Sequence, residues 1–427
     1  MKDLEYLDKN CFKYFFDNLN IPLSYKEKIY EILENIDVSH LISNKVYDYI
    51  DITKYLNKLA NLNMKKTTLS IVYIVKNEEL YIKKSIKKSL KIADEIIVFD
   101  TGSTDSTINI LESINSSKIK IINGKWNDNF SSARNEANSY ATSDWILTMD
   151  ADEIIDFKNN TIKSILSFLN NFPISDNSVF NLTLSCGKNL FKAGRLVKNK
   201  HIFYYKGKVH ETYVNKISNF SYPHINLNLT IKYINRQSYN KIQYYNKLLL
   251  DTMEQYPDEQ RWFFLYLRDN IETININQLE LIVNNCILIN PNKPLNTSNI
   301  KLDYYTHGLF IIILRKFLIE EELNKFSIYL TLAKEFFNSL DLIYLEYIYN
   351  EMKIKQQQKD LLDKFLIQYD NLPTKREFFD ENYIDSLLGL FLLNNGYISE
   401  AKKIFNNIFL NNPNMSCFKD NYIKEIL

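Results

Sequence analysis

Two carboxylates stand two residues apart where an apolar run ends, Asp150-Ala151-Asp152 after WILTM. If that run is a strand entering a turn, both side chains can face one ion. Oxygen donors suit Mg2+ or Mn2+, and Mg2+ commonly bridges one or two carboxylates to substrate phosphates. The plainer alternative is a solvated turn that caps the next helix. A third carboxylate, Asp100, closes a similar run in EIIVFDTGSTDST. At the end of a parallel strand such a group can accept hydrogen bonds from a nucleotide base or ribose. The loop after it is neither G-x-G-x-x-G nor G-x-x-x-x-G-K-[ST], which argues against NAD-type and P-loop ATP-type binding. Thr101-Gly102-Ser103 supplies backbone freedom there, and Thr104 or Asp105 can cap the helix that follows. Lys76, Asn77 and Glu78 form a third polar cluster, after TLSIVYIV.

These clusters need elements to hold them. TLSIVYIV (68–75), EIIVFD (95–100), KIKIIN (118–123) and DWILTMD (144–150) are short runs rich in β-branched residues, fit for buried strands. ELYIKKSIKKSLKIA, STDSTINILESI and FSSARNEANSYAT lie between them with helical periodicity, the last capped by Asn129 or Ser131. Repeated strand–helix–strand units predict a mostly parallel sheet with right-handed crossovers. Such sheets bind ligands beyond the carboxyl ends of their strands, where all three clusters fall. Five of the eight glycines (Gly102, Gly124, Gly187, Gly194, Gly207) sit in this same central zone.

Three zones follow: a helical N-terminal extension (1–66), an α/β domain (67–238) and an all-α domain (239–427). In the last, DSLLGLFLLNNGYISEAKKIFNNIFLNNP places Leu388-Gly389 ahead of Ala401, Phe405 and Pro413. These offsets fit the tetratricopeptide pattern, in which small residues let paired helices approach.

Composition removes other classes. With 45% apolar and 24% charged residues the chain is neither disordered nor fibrous. Lys+Arg 52 against Asp+Glu 51 leaves a net charge of +1, without the basic excess a nucleic-acid binder uses. No apolar run reaches a membrane span of about 18 residues or more, and MKDLEYLDKN has no signal-peptide core. A cytoplasmic protein is expected. Cys11, Cys186, Cys286 and Cys417 are far apart and read as small buried hydrophobes rather than as disulfides or zinc ligands.

IVKNEE, DTGSTDST, KWNDNFSSARNEA and DWILTMDADE, in this order, resemble the family-two bacterial glycosyltransferases of the GT-A fold, and GRLVKNKHIFYYKGKVHE resembles the closing part of that domain. The helical repeats are similar to those of the branch with tetratricopeptide-like C-terminal domains. Length, the N-terminal extension and FFLYLRDN are similar to the sublancin-type peptide S-glycosyltransferases, which modify a cysteine of a bacteriocin precursor. The resemblance implies an α/β GT-A, Rossmann-like domain and a set of roles. Asp100, Ser103 and the Asn77-Glu78 edge would hold the uracil and ribose of a UDP-sugar. Asp150 would meet the ribose or the metal, and Asp152 would bind Mg2+ or Mn2+. Arg134 and Arg195 would meet diphosphate or sugar, since a planar guanidinium suits phosphate oxygens; for Arg134 the alternative is an ion pair on a helix surface. His210 would complete the metal shell. Glu211 is the candidate base for the acceptor proton, with Glu153 its rival. Trp126 and Trp145 read as core anchors, while Tyr204 and Tyr205 are weaker candidates for an acceptor cleft.

The expected activity is metal-dependent, inverting transfer from a UDP-sugar to a cysteine, or Ser/Thr, of a precursor peptide. The alternatives are a lipooligosaccharide or surface-glycan acceptor, or a repeat-based scaffold with a decayed catalytic domain. A homodimer is a further expectation.

Overall fold

The computed structural model describes residues 26–27, 66–170, 173–216, 222–234, 242–372 and 381–413. The expected N-terminal extension therefore lies almost wholly outside the described residues. Contacts divide the chain into two units, Met1–Gln255 and Tyr256–Leu427.

The first unit is built on an eight-stranded sheet. Its first half alternates strand and helix: β1 (Leu69–Val75), α1 (Ile82–Ser89), β2 (Glu95–Asp100), α2 (Thr107–Ser113), β3 (Ile119–Asn123), α3 (Phe130–Ser139) and β4 (Trp145–Met149). The second half adds β5 (Glu153–Ile155), α4 (Asn159–Leu169), β6 (Val179–Cys186), β7 (Asn189–Lys198) and β10 (His224–Tyr233), with β8 (Phe203–Lys206) and β9 (Thr212–Asn215) as a separate hairpin. The order across the sheet is β3-β2-β1-β4-β7-β6-β10-β5. β1 to β4 run parallel, as expected. β7 runs antiparallel to both β4 and β6, and β5 antiparallel to β10, so the whole sheet is mixed rather than mostly parallel. The local pattern of β1 to β4 carries the parallel expectation, but β7 pairs with β4 residues 49 to 53 positions away.

Both faces of the parallel half are covered, which explains its near-continuous apolar runs. Leu69, Ile71, Tyr73 and Val75 pack with Ile82 and Ile86 of α1 and with Phe168 of α4. The alternate residue Val72, with Ile97 and Phe99, packs under Ala133 and Ala137 of α3. Trp145 is wholly buried and its indole N–H donates to Asn170 Oδ1 at 3.1 Å, so it is the core anchor expected. Trp126 is half-buried and donates its N–H to Asp128. Cys286 is buried, but Cys186 is exposed at the tip between β6 and β7, against the buried reading.

One more helix, α5 (Ile242–Gln255), groups with the sheet. The sequence boundary after residue 238 assigns it to the C-terminal zone; its contacts place it in the first unit. Periodicity marks a helix but not what it packs on.

The second unit is all helix where described: α6 (Gln260–Asn270), α7 (Ile276–Ile287), α8 (Thr306–Ile319), α9 (Leu323–Phe336), α10 (Leu340–Tyr369), α11 (Glu381–Asn394) and α12 (Ile398–Asn411). Each packs on the next along the chain. The α11–α12 pair meets as the repeat pattern requires: Ala401 and Phe405 are fully buried, and a Cβ on Gly389 would sit 2.8 Å from the Phe405 ring. At 30 residues, α10 is far longer than a repeat helix. Among the described residues no helix is long and apolar enough to cross a membrane.

Two tests follow from packing. Gly389→Val should destabilise by about 1–3 kcal/mol through overpacking against Phe405, read as a lower thermal midpoint; an unchanged midpoint would contradict the close approach. At the start of β2, the Glu95 carboxylate accepts from Ser70 Oγ (2.5 Å), Thr142 N–H (2.5 Å), Ser143 N–H (3.0 Å) and Lys120 Nζ (2.9 Å). Burial alone would raise its pKa; the bonds from Ser70, Lys120 and Thr142 outweigh this and lower it to about 2. The unfolded value is about 4.3, so this stabilisation is present above that pH and is lost as pH falls toward 2. Glu95→Gln should cost about 1–3 kcal/mol at pH 7, and urea melts at successively lower pH should show the gap to wild type closing. Parallel curves down to pH 2 would contradict the assignment.

Candidate active site

The strand order puts β2 and β3 on one side of β1 and β4 on the other, so the order in which the parallel strands are added reverses between β1 and β4. That is where open α/β sheets form a crevice beyond the strand ends. Lys76-Asn77-Glu78 leaves β1, Asp100 ends β2 and Asp150 follows β4.

The β1 and β2 loops are laced together. Asn77 lies at φ +56°, a left-handed conformation that Asn tolerates better than most residues. Its backbone N–H donates to Ser103 Oγ (2.9 Å), and its Oδ1 accepts from Thr104 N–H (2.7 Å). Glu78 N–H donates to Thr107 Oγ1 (2.7 Å), and Glu79 and Asp105 accept from the backbone opposite them. Asp105, one residue ahead of Ser106, the N-cap of α2, also accepts from Thr107 N–H through its Oδ1 (2.9 Å). Asp100 is only 6% exposed and accepts from Gly102 N–H, Ser103 N–H and Ser103 Oγ. In this structure the Asp100 carboxylate shapes its own loop. Gly102, at φ +104°, is the residue that lets the loop turn there.

A second group joins four distant segments. Asn129 caps α3, its Oδ1 accepting from Ser132 N–H (2.9 Å). One turn on, Arg134 is 6% exposed, so it is not a helix-surface ion pair. Its Nη2 donates to Asp150 Oδ1 (2.6 Å) and its Nε to Glu211 Oε1 (2.6 Å). Arg195, on β7, donates from Nη2 to Asp150 Oδ2 (2.9 Å) and to Glu153 Oε1 (2.7 Å). The Asp150 N–H donates to Glu153 Oε2 (2.9 Å). Five residues singled out in the sequence thus form one chain: Glu211, Arg134, Asp150, Arg195, Glu153. Burial alone would raise the Asp150 pKa; Arg195 and Arg134 outweigh it and hold the carboxyl well below its usual range. Burial pushes Glu153 upward, and the neighbouring Asp150 charge adds to that push.

This geometry sorts the candidates. Glu153 has no exposed surface and both its oxygens are hydrogen-bonded, so it supports Arg195 and the Asp150 backbone rather than facing an acceptor. Glu211 keeps part of its side chain accessible. Asp152 follows within the same turn and is nearly buried. His210 adjoins Glu211 at φ +50°, with its ring edge-on to Tyr245 of α5 at 6.2 Å. Among the described residues no group of three or more His, Cys, Asp or Glu side chains is gathered as a metal site. Asp150 has an Arg on each oxygen, while Asp152 and His210, the two residues expected at the metal, come from separate turns, before β5 and before β9.

Tyr205, with Tyr213 and Thr148, supports the network. The Arg134 guanidinium lies over the Tyr205 ring, 5.5 Å from its centre, and Tyr205 stacks on Tyr213 at 4.0 Å. Tyr205 Oη is 2.6 Å from Thr148 Oγ1, and Thr148 Oγ1 donates to Arg195 C=O (3.1 Å). Tyr205 is therefore buried beneath Arg134 and lines no acceptor cleft. A hydroxyl in the buried run WILTM was the available signal for Thr148. Tyr204 lines a cavity of about 110 Å3 with Asn135, Asn138 and Phe203, and none of the expected site residues lines it.

Residues 70–210 match the family described as Glycosyl transferase family 2. The SPbeta prophage-derived glycosyltransferase SunS of Bacillus subtilis is 28% identical over 266 residues, 58% of this chain and 61% of that protein, so the match spans less than two thirds of the relative's length. A TPR repeat-containing protein of Synechococcus elongatus is 40% identical over 85 residues, 20% of each chain. The solved structure of S. aureus TarS 1–349 aligns at 14% identity over 67% of this chain and 91% of that one, with a TM-score of 0.31. The stretch that matches Glycosyl transferase family 2 holds Arg134, Asp150, Glu153 and Arg195, and the C-terminal unit, all helix where described, comes later in the chain.

Proposed function

We propose that this protein transfers a sugar from a UDP-sugar to the side chain of a precursor peptide, a cysteine first and Ser or Thr second. The observation that carries the reading is the half-buried Arg134–Asp150–Arg195 bridge at the switch point of the sheet, inside the segment that matches the glycosyltransferase family. The acceptor class rests on the resemblance to the sublancin-type enzymes and on the 28% identity with SunS.

In this reading the laced β1 and β2 loops form the wall for uracil and ribose. Asp152, with His210, would hold Mg2+ or Mn2+, which when bound offsets the charge that builds on the departing diphosphate. Arg134 and Arg195 fix Asp150 in place ahead of the donor, so no reorganisation is needed when it binds. The acceptor sulfur attacks the sugar's C1 from the face opposite the diphosphate. The C1–S bond forms, the C1–O bond to UDP breaks with its electron pair going to UDP, and the configuration inverts. The thiol proton passes to Glu211 or directly to water. A thiol of pKa about 8.5 is partly ionised near neutrality, so the base has light work; a hydroxyl acceptor would depend on it more.

Asp152→Ala should remove transfer to a cysteine-containing precursor peptide, followed by mass gain on the peptide, while circular dichroism stays native. Full turnover in that variant would end the metal assignment. Arg134→Lys keeps the charge but cannot bridge Asp150 and Glu211 at once. Its kcat/KM should fall about 100-fold, in the range seen when one preorganised donor is lost. A change under threefold would mean that the bridge does not serve catalysis. With wild type, mass gain on a glycan acceptor but on no peptide would favour the surface-glycan alternative.

A further inference from the structure

Glu211 and Arg134 come from separate segments, and both segments are tied at one point. Arg134 lies one turn into α3, whose first residue is Phe130. Phe130 N–H donates to Lys208 C=O at 2.9 Å, three residues before Glu211. Lys208 in turn is held from outside the sheet. Its N–H donates to Thr252 Oγ1 (3.1 Å) and its Nζ to Asp251 Oδ2 (2.8 Å), both on α5. Thr252 is fully buried, and its hydroxyl donates to Leu248 C=O (2.7 Å), which fixes the oxygen's direction. The Tyr245 ring lies edge-on to Phe130 (6.1 Å) and to His210 (6.2 Å), so α5 touches both partners of the tie.

The turn itself has reason to need this. Gly207 sits at φ +98° and His210 at φ +50°. A non-glycine residue in the left-handed region persists when its surroundings over-determine it. The Lys208–Asp251 ion pair is too exposed to do this alone. The buried hydroxyl of Thr252 and the Phe130 N–H supply the directional part.

We propose that α5 is a positioning element of the transfer site, with Thr252 as its key residue: its hydroxyl holds the Gly207–Glu211 turn so that Glu211 stays on Arg134. The catalytic role of Glu211 rests on the proposed function; the clamp itself does not. The test uses the full-length chain. Thr252→Val keeps shape and loses the hydroxyl, whereas Thr252→Ser keeps the hydroxyl and loses a methyl. A space-filling role predicts that Val is tolerated and Ser is not; positioning predicts the reverse. In Thr252→Val, amide hydrogen exchange should speed up across 207–213 while α5 stays protected, and kcat for donor turnover with UDP-glucose or UDP-GlcNAc should fall about tenfold, as expected for a displaced catalytic group, with donor KM within twofold. Thr252→Ser should match wild type in both readouts. Unchanged exchange in Thr252→Val, or Ser behaving worse than Val, overturns the clamp. Faster exchange with unchanged kcat overturns its positioning role. If wild type turns over no UDP-sugar, the proposed function has failed and the exchange data still judge the clamp.

Discussion

The site is organised around a carboxylate with a guanidinium on each oxygen. Asp150 holds Arg134 at 2.6 Å and Arg195 at 2.9 Å, with Arg134 buried and the other two half-buried. Drawing such charges partly out of water is costly unless their hydrogen bonds are satisfied. Here each guanidinium reaches a second carboxylate, Glu211 for Arg134 and Glu153 for Arg195. The arrangement is therefore stable only as a whole. It fixes the end of β4, the flank of α3, a position on β7 and the 207–211 turn relative to one another.

That requirement accounts for the sheet order. β4 beside β1 brings Asp150 to the crevice, and β7 on its other side brings Arg195. β7 runs antiparallel, with Leu147 opposite Leu196 and Ile146 opposite Val197. The next step of that register sets Thr148 against Arg195, and the Thr148 hydroxyl does donate to the Arg195 carbonyl. Thr148 thus serves two needs at once: it marks the register and, through Tyr205, it supports the ring beneath Arg134. Polar groups placed like these specify one arrangement, because a slip of one residue would leave each of them unpaired.

The parallel half was legible because each strand carries its own signal. EIIVFD is buried at every position, and the strand assigned to it ends at Asp100. What lay beyond reach was non-local. Arg134 and Arg195 were expected to meet the substrate, since guanidinium chemistry alone points to phosphate; nothing local says that carboxylates 16 and 45 residues away claim them first. Glu153 and Glu211 were indistinguishable as bases for a related reason. Both follow polar turns, and only the fold buries one and leaves the other partly open. Helix α5 groups with the first unit rather than with the helices after it, because an amphipathic period shows that a helix has a buried face and not which surface covers it.

The backbone adds a separate line of argument. Asn77, Asp128 and His210 are non-glycine residues with positive φ, and they lie in loops that meet the ends of β1, β3 and the β8–β9 hairpin. All three belong to the residue types that tolerate this region best. Each is also held by side-chain or ring contacts: Asn77 by Thr104, Asp128 by Trp126 and Tyr244, His210 by Tyr245. Strain that is both locally permitted and externally braced collects where geometry matters more than stability. The braces come from the β2 loop and from α5, two elements that carry none of the charged network. The carboxylates and guanidiniums set the chemistry of the site, and these neutral contacts set its shape.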